Sequence, residues 1–295
     1  MIDLTTKYLG LTLRSPIVAS PGPVTGQLDR LTELSDAGIG AVVLPSLFQE
    51  QIEHETSEID RLFAVHHHSF GEASSFFPEL DGYNTGADAY LALIEAARAA
   101  VEVPVIASLN GTTTAGWLGH ARALEEAGAA AIELNLYSIP IDPAVGGAEV
   151  ERRTLEIVRQ VVGIVKIPVS IKLAPYFSSM SHMAGELVHA GAGRLSRRVC
   201  CSLAASRGVE THVEVVKCLL VGADVVMTAS ALLRNGVQHV GTMREGLERW
   251  LGENGFASVE AIRGLKDATH VEHVDALIRA QYVSALTDYL SAPVR

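Results

Sequence analysis

Lysine is scarce in this chain of 295 residues: Lys7, Lys166, Lys172, Lys217 and Lys266 are all there is, and arginine supplies most of the positive charge. Acidic residues outnumber basic ones 34 to 23, and the net charge of −11 argues against non-specific binding to nucleic acid or an anionic membrane. Cysteine is equally sparse. Cys200 and Cys201 are adjacent and Cys218 lies in a helix-like stretch, which excludes a spaced disulfide framework and reads as reduced, buried thiols. No uninterrupted apolar run approaches the ~18 residues that span a bilayer. The start, MIDLTTKYLG, has neither a basic segment nor an apolar core of a signal peptide, so the expected location is cytoplasmic.

No repeat, linker or low-complexity tract divides the chain, which predicts a single domain over 1–295. What is present is alternation. β-branched apolar runs recur at 15–22, 41–46, 103–110, 130–138, 168–175, 199–205 and 224–230. Between them lie Ala/Leu/Glu/Arg-rich stretches of helical pattern, such as 28–38, 89–101 and 117–128, several closing on Ala-Gly or Gly-Ala as a helix C-cap would. Strand and helix in alternation predict a parallel sheet covered by helices. After 231 the tail is helical and is expected to pack outside the sheet.

Seven strands are one short of a closed (β/α)8 barrel. Only one helix-like stretch lies between Lys172 and the run VCCSLAA, and a further βα unit does not fit there. The predicted fold is therefore an α/β TIM barrel, incomplete by one βα unit between residues 175 and 200. Local disorder or poor packing is expected from about 190 to 208.

Charge inside an apolar strand is costly unless it is paired or functional. Lys172, in PVSIKLAP, is such a charge. Upstream, AAIELNLYS ends on Asn135 and Ser138, and SLNGTTT carries Asn110 at another strand end. Strand ends bearing isolated polar groups are where parallel α/β enzymes keep their chemistry. Plainer readings stand beside this one. Lys172 could snorkel or pair with a carboxylate; Asn135 could satisfy loop backbone; Ser138 could be a turn residue; and Asn110 could cap the next helix. The triplet His66–His67–His68 lacks the spacing of a metal site and reads as a solvated loop, so no metal is expected.

The runs SPIVASPGP, ELNLYS, IKLAPYF and GVETHVEVVKCLLVGADVVMTASALL, in that order, resemble the dihydroorotate dehydrogenase family, in its dihydroorotate dehydrogenase-like branch of FMN barrels. The resemblance covers roughly 1–192 and 200–250. It implies an FMN-dependent oxidoreductase that oxidises a C–C bond of a dihydroorotate-like cyclic substrate, with hydride passing to the flavin, in pyrimidine biosynthesis. By this resemblance Asn135 touches flavin and substrate, Ser138 is the base, and Lys172 faces the N1/O2 side of the flavin ring. Ala19 and Ser20 lie against the flavin, and Gly208, Ala229 and Ser230 supply backbone donors for its phosphate. Ser46 stands at the serine of the family's lysine–serine pair, with Pro45 in place of the lysine. Pro78 and Pro140 stand at or near family asparagines, and the sixth strand with its asparagine is missing. The implied partners are a small-molecule substrate and, in the manner of such barrels, a second copy in a homodimer. Two other readings remain open: a catalytically impaired relic of the barrel, and a lyase forming a Schiff base through Lys172.

Overall fold

A computed structural model describes residues 2–49, 87–111, 114–136, 141–174, 177–192, 201–267 and 273–291. The chain begins with a hairpin, β1 (Thr6–Tyr8) and β2 (Leu11–Leu13), paired antiparallel with Tyr8 opposite Leu11. Its two-residue turn, Leu9–Gly10, has φ of 52° and 77°. Positive φ at both positions matches the right-handed twist of the strands, but it costs energy at leucine, which has a Cβ. Burial offsets that cost: Tyr8, Leu9 and Leu13 are buried among the inward-facing residues of the main sheet. The hairpin thereby plugs one end of the barrel. The sequence reading missed it, because leucine is not a turn residue.

Seven parallel strands then form one curled sheet: β3 (Ile17–Ala19), β4 (Ala41–Phe48), β5 (Val105–Asn110), β6 (Ala131–Asn135), β7 (Val169–Lys172), β8 (Ala204–Ser206) and β9 (Val225–Thr228). The order across the sheet is β7-β6-β5-β4-β3-β9-β8. First and last strands in sequence are therefore neighbours, as in a barrel, while β7 and β8 remain edges. The fold is a half-barrel, an incomplete α/β TIM barrel. All seven predicted strands exist, although the one expected at 199–205 is the short β8 at 204–206.

Alternation along the strands divides the core in two. Val18, Ala41, Val43, Ile106, Ala131, Val225 and Met227 point inward, against the hairpin. Ile17, Val42, Leu44, Ala107, Ile132, Leu134 and Val226 point outward, toward the helices. Those helices include α1 (Leu28–Asp36), α2 (Ala87–Ala100), α3 (Thr114–Glu126), α4 (Gly147–Ile164), α5 (Met180–His189) and α6 (His212–Leu220). A short α7 (Ser230–Asn235) follows β9, and α8 (His239–Glu253) packs on α6 and α7. The last helix, α9 (Val274–Ser291), bears out the helical tail, while in the stretch 258–265, expected to be helical, Ser258 bridges Asp3 and residues 260–265 form successive turns.

Among the described residues no strand lies between β7 and β8. A cavity of about 240 Å³ sits there instead, bounded by β7, β8, the hairpin tip and α5. The strand that would close the barrel belongs in this gap. Along the expected loose stretch, Leu203, Ala204 and Ser206 are exposed. Residues 193–200 lie outside the described residues.

Candidate active site

The site is built at the carboxyl ends of β4 to β7. Strand β4 carries Pro45, which cannot donate to a strand ladder. The β4–β5 register shifts between Val43 and Ser46, a bulge that resets the alternation. Without it Pro45 would face the interior, two residues after Val43; with it Ser46 does. Ser46 Oγ lies 2.8 Å from Ser108 Oγ on β5. The hydroxyl of the buried Tyr90, on α2, accepts from the Ser108 N–H at 3.0 Å and donates to the Ser108 carbonyl at 3.2 Å. These bonds satisfy the backbone beside the bulge, where an unpaired group would be costly.

From Ser108 the network continues inward. Its hydroxyl donates to Glu133 Oε1 on β6 at 3.3 Å, and Asn135 Nδ2 donates to Ser46 Oγ at 3.5 Å. Lys172 Nζ, on β7, lies 4.0 Å from the same Glu133 oxygen. In the sheet register Asn135 is directly opposite Lys172 and Glu133 opposite Ser170. Two-residue spacing puts Glu133 and Asn135 on the inner face together, and Ser170 and Lys172 beside them.

The electrostatics follow from unequal exposure. The Glu133 side chain is 4% exposed and that of Lys172 38%. Burial pushes the Glu133 carboxyl above its ordinary value, opposed by the Lys172 charge and the Ser108 hydrogen bond. Tyr8, buried at the hairpin, is pushed up as well, by burial and then by the charge of Glu133. The Cys201 thiol is also raised, by burial and by Asp224, which makes it a weaker nucleophile rather than a stronger one. Cys201 and Cys218 are free and half-buried, less enclosed than expected, and Cys200 lies outside the described residues.

The remaining predicted residues fall on the same rim or beside it. Asn110 ends β5 and is buried. Ala19 ends β3 with its side chain in the outer core, and the half-buried Ser20 donates its N–H to the Thr228 carbonyl at 2.9 Å. A Cβ on Gly22 would stand 4.0 Å from the Ala229 side chain, so the ends of β3 and β9 meet there. Gly208 follows β8 with φ 65° and open space above it, and the preceding Arg207 has φ 76°. Two successive residues with positive φ make a turn that favours glycine at its second position. Ser138, Pro78, Pro140 and the histidine triplet lie outside the described residues.

Sequence reasoning missed three members of this network: Ser108, Tyr90 and Glu133. For Glu133 the signal was available, since it is a charge in the middle of the apolar run AAIELN, as Lys172 is in PVSIKLAP. The pairing of the two is the carboxylate partner that one reading of Lys172 anticipated.

No protein-family model matches the chain. The chain is similar to a protein of Aeropyrum pernix named "Putative dihydroorotate dehydrogenase A (fumarate)", at 29% identity over 208 residues. The match takes in 67% of that protein but 55% of this chain.

Proposed function

We infer that the chain is an FMN-dependent oxidoreductase of dihydroorotate dehydrogenase type, acting on a small cyclic substrate with a C–C single bond to oxidise. The observation that carries this reading is the convergence of Ser46, Asn135 and Lys172 at the carboxyl ends of β4, β6 and β7, joined through Ser108 and Glu133. The similarity to the Aeropyrum pernix protein supports the same reading.

The donor set fits a flavin on this side of the barrel. An amide, a hydroxyl and an ammonium stand within one connected network, and the open turn at Gly208 leaves backbone accessible near the ends of β8 and β9. Asn135 and Lys172 would hold the polar edge of the ring, with Ala19, Ser20, Ser46 and Asn110 around it. Gly208, Ala229 and Ser230 would take the phosphate, in the region where such barrels commonly bind one. FMN, when bound, supplies the two-electron acceptor. The chain's own part is to set a positive charge at the rim through Lys172, to fix that charge with Glu133, and to remove a proton from the substrate. Ser138 takes that last role by the family resemblance, and as a hydroxyl it needs a hydrogen-bonded relay to act as a base. The acidic surface fits action on a small molecule in the cytoplasm, without nucleic-acid or membrane partners, and a homodimer completes the proposal.

The test is an absorbance spectrum of the purified protein from 300 to 550 nm. Peaks near ~370 and ~450 nm, released as FMN on heating, are expected. Lys172→Ala should weaken FMN retention by roughly tenfold, the scale of one charge-assisted contact. A colourless protein that takes up no added FMN would overturn the reading, and the open wall would then mark a barrel without turnover.

A further inference from the structure

The cavity in the open wall is more than a packing defect. One side is polar: Glu133, Ser170 and Lys172 run along the inward faces of β6 and β7, with the Tyr8 hydroxyl below. The other side is apolar, formed by Leu187 and Val188 of α5 with Leu203 and Met227. Both Ser108 and Lys172 address Oε1 of Glu133, and among the described residues nothing hydrogen-bonds Oε2. Glu133 lines the cavity, with 4% of its side chain exposed.

Two opposite charges thus face one cavity, with the Lys172 ammonium and the Glu133 carboxylate 4.0 Å apart, at the outer edge of an ion pair. A ligand with only a negative charge would be repelled by Glu133, and one with only a positive charge by Lys172. A dipolar ligand pairs with both and adds no net charge to a partly buried site, so each of its ions meets a counter-charge as it is desolvated. The geometry points to a binding site for a zwitterionic α-amino acid with an aliphatic side chain. Its ammonium meets the deep Glu133 carboxylate, its carboxylate meets Lys172 at the more exposed end, and its side chain lies on Leu187, Val188 and Met227. The volume is sufficient, since an apolar cavity of about 150 Å³ already takes benzene. This site goes beyond the flavin reading, although Lys172 and the Glu133 that fixes it serve both.

Isothermal titration calorimetry of the full chain tests it with L-leucine and four relatives. These are 4-methylpentanoate without the ammonium, 3-methylbutylamine without the carboxylate, neutral 4-methylpentanamide, and glycine without the side chain. Leucine is expected to bind, and each relative to bind at least roughly tenfold more weakly, as the loss of a charge-assisted contact or an apolar side chain dictates. Glu133→Gln and Lys172→Met should each weaken leucine by a similar factor. Ala204→Phe, which fills the gap from β8, should abolish binding without lowering the melting temperature. No heat with leucine, or equal affinity for 4-methylpentanamide, overturns the proposal on the unmodified chain alone. Unchanged affinity in Glu133→Gln overturns it too. The flavin reading is judged separately by colour, so a colourless protein that binds leucine would sink only that one.

Discussion

Strands β5 and β8 belong to one sheet and illustrate opposite conditions. Every residue of β5 is buried, and it has a parallel neighbour on each side. Strand β8 is three residues long, among the described residues pairs only with β9, and has two exposed residues of three. Its support comes from side chains at the plugged end. Asp224 Oδ2 accepts the Leu203 N–H at 2.7 Å, Arg263 holds the other carboxylate oxygen, and Ser202 Oγ accepts the Leu9 N–H at 3.1 Å. A short edge strand so pinned limits the pairing hazard that a long, flat edge presents. The difference teaches where function can reside: the connected polar network lies on β4 to β7, with close neighbours, and the open wall holds a cavity instead of a strand.

The largest effect should come from the closed side. Leu134, on β6, is fully buried against the helices. Leu134→Ala should cost ~2–5 kcal/mol of unfolding free energy, from lost transfer energy and the hole left behind. Urea unfolding measures it. A loss under ~1 kcal/mol would mean that the outer core around β6 is as loosely packed as the gap, and the comparison would fail.

Next comes the buried carboxyl of Glu133. Its pKa in the folded state is raised above the ordinary 4.5, so the folded chain holds that proton more firmly than the unfolded chain does. Its contribution is therefore fully present below pH 4.5 and is lost as pH rises through the raised folded value. Stability measured against pH should contain a falling component above 4.5 that Glu133→Gln removes, because the amide does not titrate. Identical pH profiles for the two proteins would show that Lys172 and Ser108 fully offset burial, and that the cavity-facing side of β6 is effectively solvated.

Much of this was legible in the sequence, and for definite reasons. The count of seven strands and the place of the missing unit followed from apolar periodicity and from spacing, both of which are local. The rim positions of Asn110 and Asn135 followed because each ends an apolar run, and that of Lys172 because its charge interrupts one. What escaped was set by three-dimensional context. Tyr90 reads as an ordinary helix residue until a bulge at Pro45 leaves Ser108 backbone for its hydroxyl to satisfy. The hairpin turn at Leu9–Gly10 violates turn preference locally and is supported by burial, which no local pattern reports. Glu133 was available to the same argument as Lys172, and only the register shows that both face one interior.

The smallest effect is expected on the open wall, and it is the sharpest test of whether that wall is open in solution. Leu203 lies just before β8 with 54% of its surface exposed. Its backbone N–H, rather than its side chain, ties it to Asp224. Leu203→Ser should therefore change stability by no more than about 0.5 kcal/mol, as exposed substitutions away from caps and cores usually do. A loss of ~2 kcal/mol or more would require Leu203 to be buried, since that is the scale of a fully covered leucine. Covering it requires a partner, so light scattering on the same samples would then have to show a second copy that dissociates in the variant. A monomer with an unchanged midpoint leaves the gap as a solvent-facing opening, and the contrast between β5 and β8 becomes a property of the isolated chain.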